Sequence, residues 1–249
     1  MTSNQPEGTP TWIDLAVSEP DQARAFYRAM FGWDYRLVRT STGDQSICLL
    51  RDQPVAAFRH TSTPGGGASR WRMYFATEDC DDASRRVAAS GGTVLEPPVE
   101  MLDLGRVAVA EDPTGATFGL WQGRALVGAE VVNEPGSLVR NDLLTPDPEP
   151  ARVFYADVFG YTLDRNEDLP GADFTFLRRP DGYEIGGIFG SPGAAPAWAT
   201  LFEVADTDIA VKNAVAAGGT AAAPEDSPYG RTAVLTDPAG TEFSVITRP

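Results

Sequence analysis

At 249 residues, 42% hydrophobic and 22% charged, the chain carries enough apolar material for packed cores, which excludes a disordered polymer. Its net charge of −15, with basic residues scattered singly, excludes the electrostatic footprint of a nucleic-acid or anionic-membrane binder. No apolar run approaches the roughly 18 residues of a spanning helix, and the N-terminus is polar and acidic, so the sequence reads as a soluble cytoplasmic protein.

Thr11 to Val17 reads as a strand. Ser18-Glu19-Pro20-Asp21 then offers an N-cap and a proline for a first helical turn. Ala23, Phe26, Tyr27 and Met30 follow at i, i+3, i+4 and i+7, one apolar helical face, and Gly32 permits the left-handed turn that ends it. Gln45 to Leu50 and Val55 to Arg59 are short strand-like runs, followed by a Gly/Ser/Pro-rich loop from Thr61 to Gly67. A strand from Trp71 to Thr77 leads into a helix from Cys80 to Ala89, closed by Gly91-Gly92. Arg106 to Ala110 and Thr117 to Trp121 make a hairpin around Asp112-Pro113-Thr114-Gly115.

These elements then recur. FYRAMFGW at Phe26–Trp33 returns as FYADVFGY 128 residues on, at Phe154–Tyr161, and ASGGT at Ala89 returns as AAGGT at Ala216. GRVAVAEDPTGATF at Gly105 returns as GRTAVLTDPAGTEF at Gly230. Three matches in one order mean a duplication, with a first domain over 1–122, a connector over 123–136 and a second domain over 137–249. In the second copy Asp147 and Pro148 open the helix, Ala151, Phe154, Tyr155 and Val158 form its stripe, and Gly160 ends it. Each copy is two β-α-β-β-β modules, so the chain holds four.

The order of elements resembles the vicinal-oxygen-chelate superfamily of glyoxalases, bleomycin-resistance proteins and extradiol dioxygenases. A strand enters a helix with an acid-Pro start and an FYxxxFG end, and a DPxG hairpin precedes the last strand. The phrase NEPGSLVRNDLLTPDPEPARVFYADVFGY is especially similar to two-domain bacterial members, and the resemblance covers roughly 8–122 and 136–247. It implies an α+β fold of tandem domains whose four modules form cupped mixed sheets. It also implies that any divalent metal would be held on the first strands of modules and on a last strand.

Carried over residue by residue, the ligand positions fall on Trp12, Arg72 and Gly119 in the first copy and on Arg140, Ala199 and Ser244 in the second. None is an ordinary ligand for a divalent metal. With His60 the single histidine, no two-histidine, one-carboxylate site can form, so the expectation is no metal and no other cofactor.

Strand alternation puts further residues on the same face as those positions. They are Asp14 beside Trp12, Asp142 beside Arg140, Tyr74 beside Arg72, Trp121 beside Gly119, and Glu203 and Glu242 in the second copy. Trp12, Arg72, Tyr74, Trp121 and Arg140 are the candidate ligand contacts, and Asp14, Asp142 and Glu242 the candidate acids or bases. Each has a structural alternative. Asp14 or Asp142 can tie strand to loop or pair with an arginine such as Arg140, and Trp12, Trp71, Tyr74 and Trp121 can fill cores. The repeated Arg106 and Arg231 point to architecture, and His60, at a strand end, to an exposed position. Cys48 and Cys80 read as buried free thiols. There is no G-x-S-x-G elbow, and Gly65-Gly66-Gly67 lacks the lysine and helix start of a phosphate loop.

Two functions fit. One is metal-independent binding of a hydrophobic, partly aromatic small molecule, for sequestration, resistance or carriage, by a monomer or homodimer. The other is a cofactor-independent isomerase, lyase, cyclase or hydrolase that acts on a secondary-metabolite-like substrate through carboxylate acid/base chemistry.

Overall fold

The computed structural model describes residues 5–40, 43–61, 69–165 and 171–249. Most of the glycine-rich loop expected over 61–67, with its Gly65-Gly66-Gly67, lies outside them. Four β-α-β-β-β modules follow one another. The first is β1 (Pro10–Val17), α1 (Pro20–Phe31), β2 (Asp34–Thr40), β3 (Gly43–Leu50) and β4 (Gln53–His60). The second is β5 (Trp71–Ala76), α2 (Cys80–Ala89), β6 (Thr93–Met101), β7 (Gly105–Glu111) and β8 (Thr117–Gly123). The third is β9 (Leu138–Thr145), α3 (Pro148–Phe159), β10 (Thr162–Arg165), β11 (Phe174–Arg178) and β12 (Glu184–Gly190). The fourth is β13 (Ala197–Glu203), α4 (Thr207–Ala216), β14 (Thr220–Ala221), β15 (Glu225–Ser227), β16 (Gly230–Thr236) and β17 (Glu242–Thr247), one short strand more than the others. This is the α+β class with mixed strand pairing that the sequence predicts.

In every module the first strand pairs parallel with the last, β1 with β4, β5 with β8, β9 with β12 and β13 with β17, while the remaining strands pair antiparallel. The helix between them supplies the crossover that a parallel pair needs. Pro20 and Pro148 begin α1 and α3 without side-chain caps, and Gly32 (φ 70°) and Gly160 (φ 68°) end them in the left-handed region. α2 and α4 instead start on Asp79 and Asp206, whose carboxylates accept backbone N–H groups of the first turn.

The chain divides into two compact units, and each takes one module from each copy. The α1/α4 unit is Ile13–Trp71, Ala129–Arg140 and Thr200–Pro249; the α2/α3 unit is Met1–Trp12, Arg72–Gly128 and Asn141–Ala199. Both have aromatic cores. In the α1/α4 unit Tyr27 stacks on Trp33 with centroids 5.7 Å apart, edge-on to Trp71 and close to Phe58 and Phe243. In the α2/α3 unit Tyr155 lies edge-on to Phe154 and Trp198, and close to Phe118 and Phe75. Burying rings of this size stabilises by roughly 1.5–3 kcal/mol each.

The two repeated motifs meet inside these cores. The Tyr27 hydroxyl donates to Asp237 Oδ2 (3.2 Å) and accepts from the Trp71 indole N–H (3.2 Å). In the other unit Tyr155 donates to Asp112 Oδ2 (3.0 Å) and accepts from Trp198 (2.8 Å). Each aspartate uses its other oxygen to hold its own DPxG turn, Asp112 through the N–H groups of Thr114 and Ala116, and Asp237 through those of Ala239 and Thr241. The FY and DPxG sequences therefore recur because a helix of one copy is tied to a turn of the other. Arg106 and Arg231 are architectural in the same way, pairing with Asp81 and Asp208 in the first turns of α2 and α4. Cys48 and Cys80 are free and buried, and burial pushes both thiols up, Cys80 to about 12, which keeps them protonated and unreactive.

Candidate functional site

Side chains alternate along β5. Trp71 points to the helix side, where it bonds Tyr27, so Arg72 and Tyr74 lie on the opposite face. Tyr74 registers with Gly119 of β8, and Ala76 with Trp121. A Cβ built on Gly119 would stand 1.9, 2.2 and 2.6 Å from three atoms of the Tyr74 ring. Tyr74 is 3% exposed and Trp121 3%, so the ring fills the volume that a side chain at position 119 would need. Trp121 is fixed as well, its indole N–H donating to the Leu126 carbonyl (2.9 Å) and leaving only ring surface for other contacts. Trp12 is buried, and Arg72 half-buried.

In the second copy Asp142 of β9 registers with Gly187 of β12, and a Cβ on Gly187 would stand 2.2 Å from the Phe174 ring. Around it Phe174 lies 5.1 Å from Phe176 and 6.2 Å from Phe189, centroid to centroid, and the Arg178 guanidinium sits 5.8 Å over Phe176. These three phenylalanines and Asp142 are half-buried, unlike the enclosed rings of β5 and β8. None of the three stands at an inherited ligand position or beside one. The sequence signal for them is the Phe-x-Phe alternation at 174–176, which puts two rings on one face of a strand.

The other candidates lie in the α1/α4 unit. Asp14, with a side chain 7% exposed, accepts from Arg59 Nε at 3.0 Å, so its carboxylate is ion-paired across the parallel β1–β4 register. One partner is thus Arg59 on the neighbouring strand. Arg140 is half-buried. Glu242 is exposed at the start of β17, opposite Thr236. His60 is half-buried rather than exposed, 2.9 Å from the Ser46 hydroxyl through Nε2.

The residues at the positions where this fold can hold a divalent metal do not fit one. Tryptophan, arginine, glycine and alanine offer no donor, Ser244 offers one weak hydroxyl, and Tyr74 occupies the space of a ligand at 119. No group of three or more His, Cys, Asp or Glu among the described residues could hold a metal ion. No described helix is long and apolar enough to cross a membrane.

Over 248 residues the chain is 39% identical to CFP32 of Mycobacterium tuberculosis (strain CDC 1551 / Oshkosh), which carries a glyoxylase name; the match covers 96% of this chain and 95% of that one. It is 35% identical over 255 residues to the anthracycline biosynthesis protein DauV of Streptomyces sp. (strain C5), covering 96% and 93%. Its fold matches the crystal structure of the Mn(II)-bound glyoxalase from Novosphingobium aromaticivorans with a TM-score of 0.65 at 16% identity, covering 96% of this chain and 83% of that one. Residues 9–120 match the family model of the Glyoxalase/Bleomycin resistance protein/Dioxygenase superfamily and residues 139–246 that of a glyoxalase-like domain. The chain belongs to this superfamily, as a two-domain member.

Proposed function

We propose that the chain binds a flat, hydrophobic, partly aromatic small molecule without a metal, as a cytoplasmic monomer or homodimer. The observation that carries this reading is the half-buried cluster of Phe174, Phe176 and Phe189 beside Asp142, aromatic surface that a flat ring can reach, while the Tyr74 ring fills the space of a ligand carboxylate at 119. Phe174, Phe176 and Phe189 beside Asp142 form the accessible aromatic face of the α2/α3 unit, whereas Trp12, Tyr74 and Trp121, 3–5% exposed beside the half-buried Arg72, are reached only on displacement of their neighbours. Stacking on each ring adds about 0.5–1.5 kcal/mol beyond the area buried. The α1/α4 unit, taken by itself, offers a cation at Arg140 and acceptors at Asp14 and Glu242. The likeness to an anthracycline biosynthesis protein favours a fused polycyclic aromatic ligand from secondary metabolism.

A second reading is favoured by one observation, the half-buried Asp142 among phenylalanines. A carboxylate there suits proton transfer to or from a bound aromatic ketone or enol, which would make the chain a cofactor-independent isomerase, lyase, cyclase or hydrolase. One experiment separates the two. An anthraquinone is titrated into the chelator-treated protein by tryptophan fluorescence, then recovered after long incubation for mass spectrometry. Saturable binding with unchanged ligand supports sequestration, and a product lost in Asp142→Asn supports the enzyme. Failure to bind any flat aromatic overturns both.

A further inference from the structure

A half-open groove of about 400 Å³ lies in the α1/α4 unit between α1 and the β2–β3 hairpin, and none of its lining residues belongs to the proposed aromatic site. Its walls include Arg24 and Arg28 of α1, Tyr35 and Leu37 of β2, and Ser46 of β3. Arg24 is anchored. Its Nη1 donates to Ser46 Oγ (2.9 Å), and its carbonyl accepts the Tyr35 hydroxyl (3.0 Å). Arg28 is held by the Trp33 carbonyl (3.2 Å) and lies 5.5 Å over the Tyr35 ring. Both guanidiniums keep N–H groups for an anion, and the carboxylates that engage them are the weakest kind of partner: Asp21 is 96% exposed and Asp34 75%. Leu37, 58% exposed, adds an apolar wall, and the volume is larger than a bare ion fills.

We propose that this groove binds a small organic oxyanion, a carboxylate or phosphate carried on a short apolar body, with Arg24 and Arg28 as its cationic clamp and Leu37 as its apolar wall. Arginine's planar fork matches both groups, and an incoming ligand has only a solvated surface pair to displace from Arg24. The polar wall continues inward from Ser46 to His60. Ser46 Oγ accepts from Arg24 and also lies within hydrogen-bond distance of His60 Nε2, at 2.9 Å, so the imidazole is one hydroxyl away from the guanidinium. His60 is faced by Arg24 and Asp21 from α1 and by Asp44 from β3; burial, then Arg24, holds its pKa below the usual histidine value. An oxyanion on Arg24 offsets that positive charge, so binding raises the His60 pKa.

The chain's single histidine makes the test direct, because its ring protons are the only imidazole signals in a proton NMR spectrum. Benzoate and inorganic phosphate are titrated separately into the full chain, with chloride holding ionic strength constant. The expected result is a saturable shift of the His60 resonance with an upward move of its pKa. Asp21→Asn, which removes an exposed competitor, should tighten binding about two- to fivefold. Arg24→Gln should abolish it with the melting temperature preserved. Tighter binding of benzoate identifies an apolar-bodied carboxylate as the ligand type, and tighter binding of phosphate identifies a phosphate ester; each supports the proposal. No saturable shift with either probe, or the same shift in Arg24→Gln, overturns it.

Discussion

Gly119→Ala should destabilise the protein although it adds one methyl group to a strand. Ordinary carbon contacts lie at about 3.5–4.0 Å, and this methyl would meet three Tyr74 ring atoms at 1.9 to 2.6 Å. Neither side can yield cheaply, because Tyr74 is 3% exposed and β5 and β8 are locked in parallel register at this pair. Overpacking of this kind costs about 1–3 kcal/mol. For a chain of this size that corresponds to a fall in melting temperature of about 2–12 °C by calorimetry. The control is Tyr74→Ala. With the ring gone, the added methyl has room, and Gly119→Ala becomes neutral or stabilises by up to about 1 kcal/mol through the unfolded chain. The two substitutions are therefore strongly non-additive in a double-mutant cycle. Equal costs of Gly119→Ala in both backgrounds would refute the claim that the Tyr74 ring excludes a side chain, and hence a metal ligand, from position 119.

The two aromatic latches should behave as equivalents. Tyr27→Phe and Tyr155→Phe each remove a donor from a buried aspartate oxygen and an acceptor from a buried indole, at about 1–3 kcal/mol, measured as the shift in urea midpoint. Asp14→Asn should lower stability by separating Arg59 from its carboxylate while leaving the secondary structure unchanged by circular dichroism. The depressed pKa of His60 means that the unfolded chain binds the extra proton first. Its contribution is thus fully present above the ordinary histidine value near 6.5 and is lost as pH falls from there toward the folded pKa. His60→Gln should flatten that part of the stability profile. Phe176→Ala should weaken a bound anthraquinone several-fold with little change in melting temperature, because its ring is half exposed.

The sequence reveals the module order because its strongest motifs are the ones that hold the fold together. FYxxxFG and DPxG recur since Tyr27 must reach Asp237 and Tyr155 must reach Asp112. The strands that the sequence does not announce, β2 and β6, are exposed pieces such as DYRLVRT, with no apolar run and no clean alternation. How the modules assort into compact units is not legible in the repeat, which records descent and not which helix packs on which turn. The candidate site is readable only in part. Chemistry at the inherited ligand positions argues against a metal, whereas the partner of Asp14 depends on the β1–β4 register, and that register is set by long-range pairing. Phe174, Phe176 and Phe189 escape a reading by inherited positions because they project from strands that carry none of them.

Metal-free binding of a flat aromatic molecule is read directly by isothermal titration of an anthraquinone into protein stripped with chelator, desalted and checked by elemental analysis. Saturable binding is expected with the same affinity before and after stripping, and with no change when manganese, zinc, nickel or iron(II) is returned. Binding that disappears on stripping and comes back with one equivalent of metal would contradict it.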